Sequence, residues 1–246
     1  MINEINQIKP KLLVKIDHEL IVCEGRQNNP YLQTNALINL VRAVESRKVP
    51  LHINSCFRTL PQQWMLRAQL EKGICGIMAA AKPPKSNHNS GLAIDVQDTD
   101  RWQSHLEKFG WKWIGSFDPM HFDYASGGED LGRLQTLAFQ KLWNRHNPSD
   151  RIAEDGAYGP ATDRCLGQSP IDGFGAVEVL QRGNFSDEVG ELQLRLRSVL
   201  GLGVEYLAAD CKFGPATERY VTEFQKSVGL PPTGIADVET FKRLGL

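Results

Sequence analysis

Two short alternating stretches constrain this chain more than any other feature of its sequence. From Leu92 to Val96, residues Leu92, Ile94 and Val96 would face one way and Ala93 and Asp95 the other. From Met120 to Tyr124, residues Met120, Phe122 and Tyr124 take one side and His121 and Asp123 the other. A carboxylate opposite three aliphatic residues is badly placed for a core and well placed for a cleft. Two such strands side by side would aim Asp95 and His121 into one cleft, and the polar loop Ser86–Gly91 would bring His88 beside them. Two imidazoles and one carboxylate suit zinc and leave the fourth tetrahedral position to water. His18, His52, His105 and His146 sit in no such pattern and read as surface or satisfied core residues.

The rest of the composition narrows the class. With 41% hydrophobic and 23% charged residues over 246 positions, the chain can bury a core, and the composition argues against disorder. A formal net charge of −1 gives no electrostatic footprint for nucleic acid or an anionic membrane. No apolar run approaches the roughly 18–20 residues that a membrane span requires. The first residues, Met1 to Asn6, lack the basic-then-apolar layout of a secretory signal, which leaves the route of export or release open. The five cysteines form no Cys-x-x-Cys pair, and an odd number leaves at least one free in a monomer. Cys56 and Cys75 flank a predicted helix, and a bridge between them is conceivable.

In chain order, Leu20–Cys23 reads as a strand. A helix capped by Thr34-Asn35 follows, with Leu37, Ile38, Leu40, Val41 and Val44 at helical spacing. Leu51–Ser55 reads as a strand and Pro61 as the first turn of a helix that stops at Gly73. Arg58 falls at the junction between them, where side chains commonly project into sites; its planar fork matches a carboxylate. Trp102, Leu106 and Phe109 form a helical stripe ending at Gly110. Trp111 and Trp113 share one face of the next strand, where packing is the favoured role over lining a groove.

The pattern Ser86-x-His88-x-x-Gly91-x-Ala93-x-Asp95, followed by Asp118-x-x-His121, resembles the zinc D-Ala-D-Ala carboxypeptidase family. That family also contains L-alanyl-D-glutamate endopeptidases, several of them phage endolysins. The resemblance covers about the first 125 residues. It implies zinc ligands at His88, Asp95 and His121, a general base at Asp118 and substrate binding at Arg58. Most of the carboxypeptidases have Glu where this chain has Asp118, and the endopeptidase branch can have Asp, so the choice of bond stays open. Asp123 is a rival for the base, although its even spacing from His121 favours a supporting role. Ser86 and Ser90 read as loop-capping or supporting hydroxyls.

Composition shifts at Ala125–Asp130, and beyond it the chain repeats itself. Asp155-Gly156-Ala157-Tyr158-Gly159-Pro160-Ala161-Thr162 recurs as Asp210-Cys211-Lys212-Phe213-Gly214-Pro215-Ala216-Thr217. Each copy follows a helical segment carrying a Gln, at Gln140 and Gln193, and each feeds a new helix through Gly-Pro with Thr near its cap. Residues 183–246 resemble the helical peptidoglycan-binding module of cell-wall hydrolases. Cys211 replaces the usual Gly, which predicts an altered turn. The shorter copy, 132–167, is open to two readings, a degenerate module or a helical extension packed on the catalytic domain.

The expected fold is therefore α+β: a small mixed sheet with helices carrying a zinc site, followed by an all-α peptidoglycan-binding domain. The expected organisation is a zinc peptidase domain at 1–126, a partial repeat and linker at 127–182, and the binding domain at 183–246. The expected activity is Zn2+-dependent hydrolysis of peptidoglycan stem peptides by a monomer at the cell wall or periplasm, with no nucleic acid and no membrane span. The competing reading is a non-catalytic, zinc-stabilised cell-wall-binding protein, since some relatives of this fold, such as hedgehog signalling domains, are known chiefly for signalling. Asp118 and Arg58 argue against it, because a structural zinc needs neither a base nor a carboxylate clamp.

Overall fold

The alternating stretches become neighbouring strands of one sheet. In the computed structural model, which describes residues 1–25, 28–171, 179–185 and 187–246, the chain opens with α1 (Ile2–Ile8), β1 (Leu13–Lys15), β2 (Ile21–Cys23) and β3 (Tyr31–Gln33). It continues through α2 (Thr34–Arg47), β4 (Leu51–Ser55), α3 (Leu60–Lys72), β5 (Ala93–Val96), α4 (Thr99–Glu107), β6 (Trp111–Trp113) and β7 (His121–Tyr124). Five strands pair in the order β2-β4-β5-β7-β6, with β2 and β4 parallel and the other neighbours antiparallel. β1 and β3 form a separate antiparallel pair.

The hydrophobic half of each alternation builds the core. Ile53, Ile94, Val96 and Phe122 are fully buried and cluster with Leu40 and Val44 of α2 and Trp102 and Leu106 of α4. Each such side chain contributes about 1.5–3 kcal/mol by leaving water. Trp111 is buried in the same cluster against Tyr124 and is a packing residue, whereas Trp113 packs on its edge and also lines a surface pocket with Asp98, Pro119 and Met120. The opposite face is polar. Ser55 pairs with Asp95 and Asp95 with His121, so one row of side chains crosses three strands.

Two local expectations are corrected. α2 starts at Thr34 itself with Gln33 as its N-cap residue, and no side chain caps it. Gln33 is engaged elsewhere: its amide donates to the carbonyls of Ser90 (2.6 Å) and Glu129 (2.7 Å). The conceivable Cys56–Cys75 bridge does not form; Cys75 is bonded to Cys211, and Cys23, Cys56 and Cys165 are free.

After β7, α5 (Gly132–His146) and α6 (Pro160–Leu166) carry the first repeat. Residues 1–67 and 79–173 form one compact unit, so this repeat belongs with the sheet. Residues 68–78 and 174–246 form a second unit that contains α7 (Asp187–Leu200), α8 (Pro215–Ser227) and α9 (Val238–Leu244) around Val189, Leu192, Leu196, Val221, Phe224 and Leu244. Both ends of the Cys75–Cys211 bridge lie in this unit. The fold is α+β with a helical C-terminal region.

The repeat is a glutamine clamp. Gln140 donates to Asp155 Oδ1, the Ala157 carbonyl and Thr162 Oγ1 at 3.0–3.3 Å, and accepts from Gly156 N–H. Gln193 does the same with Asp210, Lys212, Thr217 and the N–H of Cys211. A third clamp follows in the same domain: Gln225 donates to Thr233 Oγ1, the Ile235 carbonyl and Thr240 Oγ1 and accepts from Gly234 N–H. Thr162 and Thr217 thus serve the clamp and leave the N-cap positions to Gly159 and Gly214. The turn at Cys211 is not altered. Its φ of +63° matches +68° at Gly156 and +71° at Gly234, at a cost of roughly 1–2 kcal/mol for a residue with a Cβ.

Candidate metal centre

The row across the sheet supplies two of three convergent side chains. Asp95 of β5 and His121 of β7 are register partners, and their Oδ1 and Nδ1 atoms lie 3.0 Å apart. The third comes from a single 3-10 turn, Asn87–Ser90, which ends at Gly91 with φ +64°. A Cβ on Gly91 would sit 2.9 Å from Leu13 Cδ2, so this position needs glycine twice over. The turn delivers His88, 2% exposed, with Nε2 3.1 Å from His121 Nδ1 and 3.2 Å from Asp95 Oδ1.

The outward nitrogens fix the tautomers. His88 Nδ1–H donates to the Cys56 carbonyl at 2.7 Å, and His121 Nε2–H donates to Asp123 Oδ1 at 2.8 Å. Asn87 in turn hydrogen-bonds Asp123. When neutral, each ring therefore spends its hydrogen outward and turns a lone pair inward, the supporting arrangement found around metal-ligating histidines. Two lone pairs and a carboxylate oxygen facing one point repel one another unless a cation or a proton lies between them. A tetrahedral ion with bonds of 2.0–2.1 Å requires ligand–ligand edges of roughly 3.3 Å. The observed edges of 3.0–3.2 Å fit zinc. These three residues are the group among the described residues that could hold a metal ion.

Without a metal, charge settles on His121. Burial pulls its pKa down, but the carboxylates of Asp123 and Asp95 outweigh burial and raise it to about 9. Burial lowers His88, against the pull of Asp95. Burial would raise Asp95, yet His88, His121 and Arg58 together hold it far below the usual carboxylate range.

Arg58 borders this group. Its Nη2 is 3.8 Å from Asp95 Oδ2 and donates to Ser55 Oγ at 3.0 Å, while Nη1 donates to Gln63 Oε1 at 3.0 Å. Asp118 lies in the turn before β7, half-buried, with its carbonyl accepting from His121 N–H at 3.1 Å. Its side chain makes no hydrogen bond or ion pair with a described residue. Ser90 Oγ accepts from Leu131 N–H and helps close the His88 turn. Sequence reasoning missed Gln33, Gln63, Asn87 and Gln135, which hold the site from behind. Their signal is absent from the sequence because each acts through tertiary contact.

The comparisons with known proteins bear on both halves. Residues 30–118 match the D-alanyl-D-alanine carboxypeptidase family model. Residues 185–244 match the peptidoglycan binding domain model. The order and placement agree with the resemblance drawn from the motifs. The first match takes in Arg58, His88, Asp95 and Asp118, and ends three residues before His121. No curated protein gives a significant match to the chain. Together the two family matches describe a peptidoglycan-acting peptidase with its own wall-binding domain.

Proposed function

We propose that this chain is a zinc-dependent peptidase that hydrolyses peptidoglycan stem peptides, with His88, Asp95 and His121 holding the ion. The observation that carries the reading is the inward convergence of two imidazole nitrogens and one carboxylate oxygen at 3.0–3.2 Å. Bound zinc supplies a Lewis acid that polarises a carbonyl and activates water at neutral pH. Asp118 takes a proton from the attacking water and returns it to the leaving amine, a role that its position three residues before His121 suits. Arg58, steadied by Ser55 and Gln63, grips a carboxylate of the stem peptide and so selects the bond presented. Asp123 is committed to His121 and orients that ring.

The wall-binding domain at 183–246 tethers the enzyme to its insoluble substrate, while the first repeat at 132–167, expected from sequence as part of a linking segment at 127–182 after a peptidase domain at 1–126, is part of the catalytic unit. The bond cut is of the D-Ala-D-Ala carboxypeptidase or L-Ala-D-Glu endopeptidase type, and the enzyme works as a monomer at the wall. Mass spectrometry of soluble muropeptides incubated with zinc-loaded protein tests this directly. Loss of a terminal alanine or scission after L-alanine is the expected result. Unchanged masses with full zinc loading would overturn it in favour of a non-catalytic binding protein.

A further inference from the structure

Residues 132–146 repeat a motif of the wall-binding domain, yet α5 belongs to the unit that holds the metal centre. One of its side chains reaches both halves of that centre. Gln135 is fully buried, and its Nε2 donates to the Arg58 carbonyl at 3.1 Å and to the Asn89 carbonyl. Asn89, also fully buried, donates its own Nδ2–H to the same Arg58 carbonyl at 2.8 Å. Arg58 N–H closes the figure by donating to the His88 carbonyl at 3.0 Å. A single amide therefore ties the strand-to-helix junction carrying Arg58 to the turn carrying His88. Two residues before α5 begins, Asp130 leads into Leu131, whose N–H is held by Ser90 Oγ of that same turn.

We propose that Gln135 is a positioning residue for the reaction, and that the first repeat has been recruited to aim Arg58 and His88. The helix lies outside the 30–118 span that matches the carboxypeptidase family, so the aim depends on chain that the family match does not include. The chemistry supports a role beyond packing. An apolar side chain of the same length would fill the space equally well, but it would leave the Asn89 carbonyl without this donor in a buried place. The peptide groups that would then shift are the ones on which Arg58 and His88 are mounted.

This inference rests on the metal and substrate reading above, and its test separates the two. Full-length Gln135→Met is compared with wild type by zinc affinity and by steady-state kinetics on two soluble stem peptides, one with a free terminal carboxylate and one amidated. Supporting residues of metal sites typically affect metal affinity or activity by about 10–100-fold. The expected result is a zinc dissociation constant raised roughly tenfold or more, with KM raised for the carboxylate peptide more than for the amide. KM describes folded molecules only, and the zinc dissociation constant is corrected for the folded fraction measured by circular dichroism, so a merely structural role, which lowers only that fraction, leaves both unmoved. If the methionine variant does not fold, Gln135→Asn withdraws the same amide by one methylene and serves in its place. Zinc affinity and the KM ratio within twofold of wild type in a folded variant would overturn the proposal. A wild type that hydrolyses neither peptide overturns the peptidase reading alone, because the zinc comparison still decides this one. A wild type that takes up no zinc overturns both.

Discussion

His88 and His121 turn unlike nitrogens to the same point, Nε2 of the first lying 3.1 Å from Nδ1 of the second. The difference follows from what each ring gives its hydrogen to. His88 is mounted on a turn and donates from Nδ1 to the Cys56 backbone, whereas His121 is mounted on a strand and donates from Nε2 to Asp123, two residues along the same strand. The two supports differ in kind, and so should their removal.

Zinc binding should be near one ion per chain, and His88→Ala, Asp95→Ala or His121→Ala should each weaken it severely. Asp123→Asn should weaken it less, by about 10–100-fold, since it only orients His121. Metal analysis showing full zinc in all three alanine variants would remove the site.

Zinc uptake should depend on pH in one direction. The folded, metal-free protein raises His121 to about 9, above the ordinary value near 6.5. That group therefore adds stability to the metal-free protein below about pH 6.5, and the contribution is lost as pH rises towards 9. Zinc must displace the same proton, so its affinity should climb by up to roughly tenfold per pH unit from 7 and level off near 9. Calorimetry in buffers of different ionisation enthalpy would detect the released proton at pH 7. An affinity flat across that range would contradict the assignment.

Asp118→Asn should keep zinc and fold while losing about 10²–10⁴-fold in turnover, the range for a general acid–base group. Near-wild-type turnover would move the role to Asp123, whose carboxylate is already taken up by His121 and Asn87.

Arg58→Lys should impair turnover on soluble stem peptides, because one ammonium cannot hold a carboxylate with two prongs or keep Ser55 and Gln63 engaged together. Unchanged kinetics in both Arg58→Lys and Arg58→Ala would show that Arg58 does not touch substrate.

Removing the chain from Gly183 onward should depress activity on intact sacculi and spare activity on soluble muropeptides, since tethering raises effective concentration only on an insoluble substrate. The cut leaves Cys75 without its partner Cys211, so the truncation is best made with Cys75→Ser. Equal losses on both substrates in a folded truncation would mean that the C-terminal residues complete the active site.

The sequence by itself determined the strands that carry Asp95 and His121, the convergence of those two side chains and the repeat, because each is written in local order. Alternation at period two puts Asp95 and His121 opposite Ile94 and Phe122 whatever else the chain does, and a glycine at 91 permits the turn that carries His88. The Gly-Pro entries to α6 and α8 were legible for the same reason. Only the tertiary structure decided what stands behind the site and between distant segments. Cys75 finds Cys211 across 136 residues, Gln33 reaches Glu129, and Gln135 reaches Arg58 and Asn89. Such partners share no spacing that a linear pattern can reveal. A buried amide or thiol takes whatever partner the packed core brings within about 3 Å, and packing is settled by the whole chain at once.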